Sequence, residues 1–237
     1  MKYGIISDIH GNLEALTTCL FYLKDKVSSY ICLGDIVGYG PYPNECVEIV
    51  KGLDNLILIA GNHDLAVVGM KEISWFNPDA QTAIIWTSKI LTPQNREYLQ
   101  SLKSEFKGEK FTIVHGSPRD PICEYLLDSH VMEENLSFFN TPICFIGHSH
   151  IPLYYHKKKM RILGDEEVVN PEEKAIVSPG SVGQPRDRDP MLSFGIYDDE
   201  TGEIKIKRLS YNIRRTQEAM MKAGLPSFLI ERLVLGK

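Results

Sequence analysis

The stretch Ile31-Cys32-Leu33-Gly34-Asp35-Ile36-Val37-Gly38-Tyr39-Gly40-Pro41 constrains this chain more than any other, because an apolar run delivers one carboxylate into a loop of glycines and a proline. That pattern reads as a buried strand with Asp35 at its carboxyl end. A carboxylate held there needs partners. The same arrangement recurs: apolar runs lead into Asp8 and His10, into Gly61-Asn62-His63-Asp64, into His115, and into Gly147-His148-Ser149-His150. If each run is a strand, all of these groups reach one edge of a sheet, and their donor types point to a metal site assembled around Asp35.

The first half has a βαβ rhythm. Lys2 to Ser7 reads as a strand and is followed by helical spacing at Leu13, Leu16, Leu20 and Leu23. Asp8-Ile9-His10 sets a carboxylate and an imidazole on the same side of an extended chain, although Asp8 and Asn12 serve equally well as helix caps. Leu56 to Ala60 is a third strand. Residues 70 to 103 read as helical, with cap-then-proline starts at Asn77-Pro78 and Thr92-Pro93, and Trp75, Phe76 and Trp86 read as core or lid packing. Two further strands, Phe111 to Val114 and Ile143 to Ile146, flank a helical stretch from Ser129 to Phe139. Beyond Pro152 the segments are short and alternating, with a hairpin signal over Asp198-Asp199-Glu200-Thr201-Gly202, so this half reads as antiparallel. Two helical segments follow, after Asn212 and after Pro226. The basic run Lys157-Lys158-Lys159-Met160-Arg161 reads as a solvated strand edge.

A length of 237 residues suits one α/β domain spanning 1–237. The net charge of -5 and a pI near 5.8 argue against broad attraction to nucleic acid or to an anionic membrane. Five cysteines without a C-x-x-C pair read as reduced thiols used for packing. No run of about 18 apolar residues occurs, so a cytoplasmic protein without a membrane partner is expected. His130 and His156 fall outside every block and read as surface residues.

Taken together, Asp8-x-His10, Gly34-Asp35, Gly61-Asn62-His63-Asp64, His115 and Gly147-His148-Ser149-His150 resemble, in order, the metal-binding blocks of the calcineurin-like metallophosphoesterases. The stretch Pro179-Gly180-Ser181-Val182-Gly183-Gln184-Pro185-Arg186-Asp187 resembles a loop of the bacterial YfcE-like phosphodiesterase branch. The resemblance implies an α/β four-layer sandwich of two facing mixed β-sheets flanked by helices. It also implies two divalent transition-metal ions, manganese first and iron, zinc or nickel as alternatives. Asp8, His10, Asp35 and His150 would hold one ion, and Asp35, Asn62, His115 and His148 the other, with Asp35 bridging. His63 is implied as a catalytic residue over the substrate phosphate rather than a ligand.

The expected activity is hydrolysis of phosphodiester or nucleotide-type phosphate esters through a metal-activated hydroxide, a reaction for which a metal pair lowers anionic repulsion and the pKa of water. Protein Ser/Thr phosphatases of the superfamily carry an aspartate and an arginine where this chain has Gly38 and Tyr39, which favours a phosphodiesterase over a protein phosphatase. The candidate substrate contacts are Asn12, Tyr39, Arg119 and Arg186, and the expected partner is a small phosphate ester. A homo-oligomer is compatible with the sequence. The competing readings are a non-catalytic interaction scaffold on the same fold and a nucleotide phosphomonoesterase.

Overall fold

A computed structural model describes residues 1–237. In chain order the elements are β1 (Lys2–Ile6), α1 (Leu13–Leu23), β2 (Ser29–Cys32), α2 (Pro43–Lys51), β3 (Leu56–Leu58), α3 (Asn62–Val67), α4 (Pro78–Ile90), α5 (Pro93–Gln100), β4 (Glu105–Lys107), β5 (Phe111–Val114) and α6 (Ser129–Asn135). There follow β6 (Ile143–Phe145), β7 (Pro152–His156), β8 (Lys159–Ile162), β9 (Val168–Val169), β10 (Ala175–Pro179), β11 (Leu192–Asp198), β12 (Ile204–Leu209), α7 (Ile213–Lys222) and α8 (Ser227–Leu235).

The strands form two six-stranded mixed sheets, ordered β3-β2-β1-β11-β12-β9 and β4-β5-β6-β10-β7-β8. Period-two alternation explains how both faces of each sheet are used. Ile5, Ile31, Ile113, Phe145, Val177 and Ile206 point between the sheets and form one core. Their neighbours point outward. Ile6, Cys32 and Phe194 meet Leu16 and Cys19 of α1, Val47 of α2 and Leu99 of α5. Val114, Cys144 and Ile176 meet Met132 of α6 on the other side. The result is the expected four layers of helix, sheet, sheet and helix.

β1, β2 and β3 are parallel, and so are β5, β6 and β10. The second half is therefore not wholly antiparallel, since β10 pairs in parallel with β6 and antiparallel with β7. More consequential is the number of edges. The expected ligands do not line one edge of a sheet: Asp8, Asp35 and Asn62 follow β1, β2 and β3 in one sheet, while His115 and His148 follow β5 and β6 in the other. The carboxyl ends of the two parallel sets converge, so the site lies across the top of the sandwich.

The helix starts at Asn77 and Thr92 form as anticipated, each side chain accepting from a first-turn amide ahead of a proline. The basic run lies on the edge strand β8, where exposed cations disfavour further strand pairing. No helix is long and apolar enough to cross a membrane.

Candidate metal centre

Each proposed ligand stands one to five residues beyond a strand, all in turns or loops except Asn62, which opens α3. Asp8, His10, Asp35, His148 and His150 all adopt left-handed backbone angles, with φ between 50° and 62°. Such angles are uncommon outside glycine and cost free energy, so their concentration at one place calls for a reason beyond packing. The turns fit with no room to spare. A Cβ at Gly61 would sit 2.1 Å from Asp35 Oδ1 and 2.4 Å from Asp35 N. Gly61→Ala is expected to destabilise the fold by at least about 1–3 kcal/mol and to displace Asp35. A thermal melt together with metal analysis tests this, and an unchanged melting temperature would show that the turn has slack.

The imidazole tautomers follow from their second nitrogens, because a carbonyl oxygen only accepts. His10 Nδ1 donates to the Val37 carbonyl at 3.1 Å, His150 Nδ1 to the Gln184 carbonyl at 2.6 Å and His115 Nδ1 to the Leu33 carbonyl at 2.8 Å. Their Nε2 atoms therefore face inward. His148 is reversed: its Nε2 donates to the Cys123 carbonyl at 3.1 Å, which leaves Nδ1 for the centre.

The inward atoms meet in two groups that share Asp35. In one, His10 Nε2 and His150 Nε2 lie 3.1 Å apart, His150 Nε2 lies 3.3 Å from Asp8 Oδ1, and His10 Nε2 lies 3.6 Å from Asp35 Oδ2. In the other, His115 Nε2 is 3.3 Å from Asp35 Oδ2 and 3.0 Å from Asn62 Oδ1, and His148 completes the cluster. Asp35 Oδ1 accepts the His63 amide at 2.8 Å, whereas Asp35 Oδ2 is buried without any hydrogen-bond partner.

Two facing lone pairs 3.1 Å apart and an orphaned carboxylate oxygen are unfavourable unless positive charge lies among them. Burial holds His10 and His150 well below the usual histidine range, so they are neutral. The one cationic group of the cluster is His115: burial alone would lower its pKa, but the Asp35 carboxylate 3.3 Å away raises it to about 9. A proton there does what a metal ion would do better. Mixed imidazole, carboxylate and amide donors, with Nδ1 protons fixed by outer carbonyls, fit divalent transition ions.

Asp64 shows how the loop is braced. Gly61 caps α3, which Asn62, His63 and Asp64 open, and Asp64 accepts the amides of Gly61 at 3.0 Å and Val37 at 3.1 Å. It ties the β3 turn to the β2 turn.

His63 stands apart from the ligands. Its ring is enclosed by His10, Tyr39 and Phe76 at centroid distances of 4.9, 4.4 and 4.8 Å. Its Nδ1 is buried, without a partner, and lies against Gly38, where a Cβ would come within 2.7 Å. Burial lowers the imidazole to about 4.

The four substrate candidates separate. Tyr39 and Arg186 line a cleft of about 510 Å³ together with Asn62, His63 and His148. Asn12 is spent on structure: its amide nitrogen donates to the Gly183 carbonyl and the Tyr211 hydroxyl, and its oxygen accepts from Ala15 N and the Thr216 hydroxyl. Arg119 lies outside the cleft lining and is held by Glu124 and Glu134. Four cysteines are buried as packing, but Cys123 is half-exposed on the cleft wall, with Lys71 Nζ 2.8 Å from its sulfur. His130 is exposed as expected, while His156 is only partly so, with Nε2 buried. Nothing in the sequence marks Tyr125, whose ring stacks on His148 at 3.8 Å, or Lys71, Phe228 and Arg232 on the cleft wall.

Comparison with known proteins agrees with this geometry. A model of the calcineurin-like phosphoesterase superfamily domain matches residues 1–202. An uncharacterized protein of Methanocaldococcus jannaschii, MJ0912, is 39% identical over 241 aligned positions, covering 99% of this chain and 98% of its own. A crystal structure of a metallophosphoesterase from Sphaerobacter thermophilus superposes with a TM-score of 0.92 at 40% identity, covering 100% of this chain and 99% of that one. The protein PH1004 of Pyrococcus horikoshii, 22% identical with a TM-score of 0.85 over 100% of this chain and 98% of its own, shares the fold.

Proposed function

The chain belongs to the calcineurin-like phosphoesterase superfamily, and from that premise we propose that it is a dinuclear metal-dependent hydrolase of phosphodiester or nucleotide-type phosphate esters. The observation that carries the reading is the buried, unpartnered Oδ2 of Asp35, with the imidazoles of His10 and His115 on either side of it at 3.6 and 3.3 Å. Asp8, His10, Asp35 and His150 would hold one ion, and Asp35, Asn62, His115 and His148 the other. Manganese, iron, zinc or nickel suits this donor set better than magnesium or calcium, which take all-oxygen shells. Bound there, the ions supply Lewis acidity and lower the pKa of water in contact with them.

The chain's own groups account for the rest. His63 faces the cleft beside the centre and serves the reacting phosphoryl group through its N–H, since burial keeps the ring neutral near pH 7. Arg186 offers a fork of donors to a phosphate on the same wall. The cleft volume of about 510 Å³ is that of a small-molecule site. Gly38 and Tyr39 stand where an acid and arginine pair would serve protein substrates, and a His63 Nδ1 without a carboxylate partner agrees with that departure.

Chelator-treated protein should be inactive, and added manganese should restore hydrolysis of bis-p-nitrophenyl phosphate with little action on phosphopeptides. Iron, zinc, nickel and magnesium, tested alongside on monoesters and cyclic nucleotides, define ion and ester class. Absence of turnover with every ion would instead support the interaction scaffold, and phosphopeptide turnover without diester turnover would overturn the substrate class.

A further inference from the structure

The cleft beside the metal centre has an outer wall of which the reaction proposed above uses only Arg186. Lys71, Arg186 and Arg232 contribute three cations to its lining, and no aspartate or glutamate lines it at all. In a chain of net charge -5 such an imbalance is local and deliberate in its consequence, since like charges brought together in a concave site are costly without an anion. None of the three pairs with an aspartate or glutamate side chain, whereas Arg119, Arg208 and Arg215 each hold one; Arg232 is engaged only through Nε, which donates to the Lys237 main-chain oxygen.

Arg186 is tied to the metal side. Its backbone amide donates to the His150 carbonyl at 3.2 Å, its guanidinium lies 5.8 Å from the Tyr39 ring centroid, and its Nε is buried without a partner. The neighbouring Asp187 is anchored by the buried Arg208, which fixes the loop that carries Arg186. Arg232 comes from α8, beyond the residues that the family model matches. That helix is docked on the same loop through the Arg188 amide and the Gly236 carbonyl at 2.7 Å. Burial and then the Arg186 charge lower the Arg232 guanidinium to about 10, consistent with two cations facing one space.

Aromatic rings continue the wall outward. Trp75 and Phe228 are 79% and 54% exposed and both line this cleft. Each already carries a cation at its face, Lys71 Nζ at 5.5 Å from the Trp75 centroid and the Arg232 guanidinium at 5.4 Å from Phe228. Planar rings with adjacent cations suit a planar, anionic ligand, for which base stacking is sequence-tolerant and phosphate contact is charge-assisted.

We propose that Arg186 and Arg232 form a second anion subsite, and that the substrate is a nucleoside di- or oligophosphate whose base lies against Trp75 and Phe228. Its α-phosphate sits between the two arginines while the β-phosphoryl group reaches the metal centre, where attack of water on the β-phosphorus would break the α–β P–O–P bond and leave the nucleoside monophosphate. The proposal rests on the phosphoesterase reading for the reacting group, but the subsite is measurable without turnover.

The test uses Trp75 fluorescence in a Trp86→Phe background. On metal-loaded protein, the methylene analogue of ADP should bind at least roughly tenfold tighter than AMP, because only the former spans both places, and Arg232→Gln, which touches the phosphate that the two ligands share, should weaken both by a similar factor. On chelator-treated protein, AMP should bind roughly tenfold tighter than adenosine, and Arg232→Gln should remove the difference, while Arg214→Gln on the exposed face of α7 keeps it. The second arm stands even if no ester is hydrolysed, so a failed phosphoesterase reading is told apart from a failed subsite. Equal affinity for AMP and adenosine, an AMP-to-adenosine ratio unchanged in Arg232→Gln, or equal affinity of AMP and the ADP analogue on metal-loaded protein would each overturn the proposal. Should that variant not fold, the AMP-to-adenosine ratio of the unmodified arginine pair must fall with ionic strength, and a salt-independent ratio overturns the proposal equally.

Discussion

Asp35→Asn is expected to abolish turnover and bring loss of both ions, a larger effect than any other single ligand change. Every other ligand serves one group of donors, whereas Asp35 belongs to both. Its Oδ2 lies between two imidazoles, the neutral His10 and the cationic His115, with no hydrogen bond of its own, so its charge, rather than its shape, is what a pair of cations would use. An amide supplies the shape without the charge. The loss in affinity should exceed the roughly 10–100-fold that removal of an outer-shell partner costs. Metal analysis after dialysis decides the point: two ions retained at unchanged affinity would remove Asp35 from the bridging role.

The same substitution should not harm the metal-free fold. Asparagine Oδ1 can still accept the His63 amide, and its Nδ2 can donate to His115 Nε2 once that imidazole is neutral. A pH dependence should disappear with the carboxylate. In the metal-free protein His115 is raised from 6.5 to about 9, so its charge stabilises the fold fully below about 6.5, and that contribution fades as pH rises through 9. Metal-free wild type should therefore melt at progressively lower temperature between these values, and Asp35→Asn should melt nearly independently of pH there. A parallel decline in both proteins would mean that another group titrates.

What the sequence shows of this site, and what it hides, divides along physical lines. The seven proposed ligands stand out because a buried strand rarely ends in carboxylate or imidazole without a reason, and the pattern recurs at five places. The ends of those strands are less legible. Asp35 stands three residues past β2, and Asn62 opens α3, because tight turns with left-handed angles intervene and a six-residue helix has too little periodicity to announce itself. That two sheets rather than one converge on the site depends on the inter-sheet core of Ile5, Ile113, Phe145 and their neighbours, which period-two alternation permits but does not pair. Arg119 reads as a phosphate contact until Glu124 and Glu134 are seen to hold it. Arg232 and Phe228 carry no motif. They reach the cleft only because α8 packs through Leu229 and Leu233 against Tyr39 and Met220, a tertiary contact across nearly the whole chain.

His63 separates chemistry from assembly, and His63→Ala should keep both ions while turnover falls by roughly 10²–10⁴-fold. Ion binding should persist because the contact with Asp35 Oδ1 comes from the His63 backbone amide, which alanine retains, and because Asn62 and the other donors are untouched. The deficit should depend on the leaving group. With Nδ1 sealed against Gly38, Nε2 is the polar edge left to a substrate, and a ring lowered to about 4 by burial serves as a neutral N–H donor at pH 7. A hydrogen bond of that kind matters most where charge accumulates on a basic oxygen, so the loss should be large for alkoxide leaving groups and smaller for p-nitrophenolate. Metal content measured beside rates on both ester types distinguishes three outcomes. A lost ion would make His63 a ligand or a support for one. Equal deficits on both esters would place its contact on a phosphoryl oxygen that does not leave. Near-normal rates on both would reduce it to a ring packed between Tyr39 and Phe76.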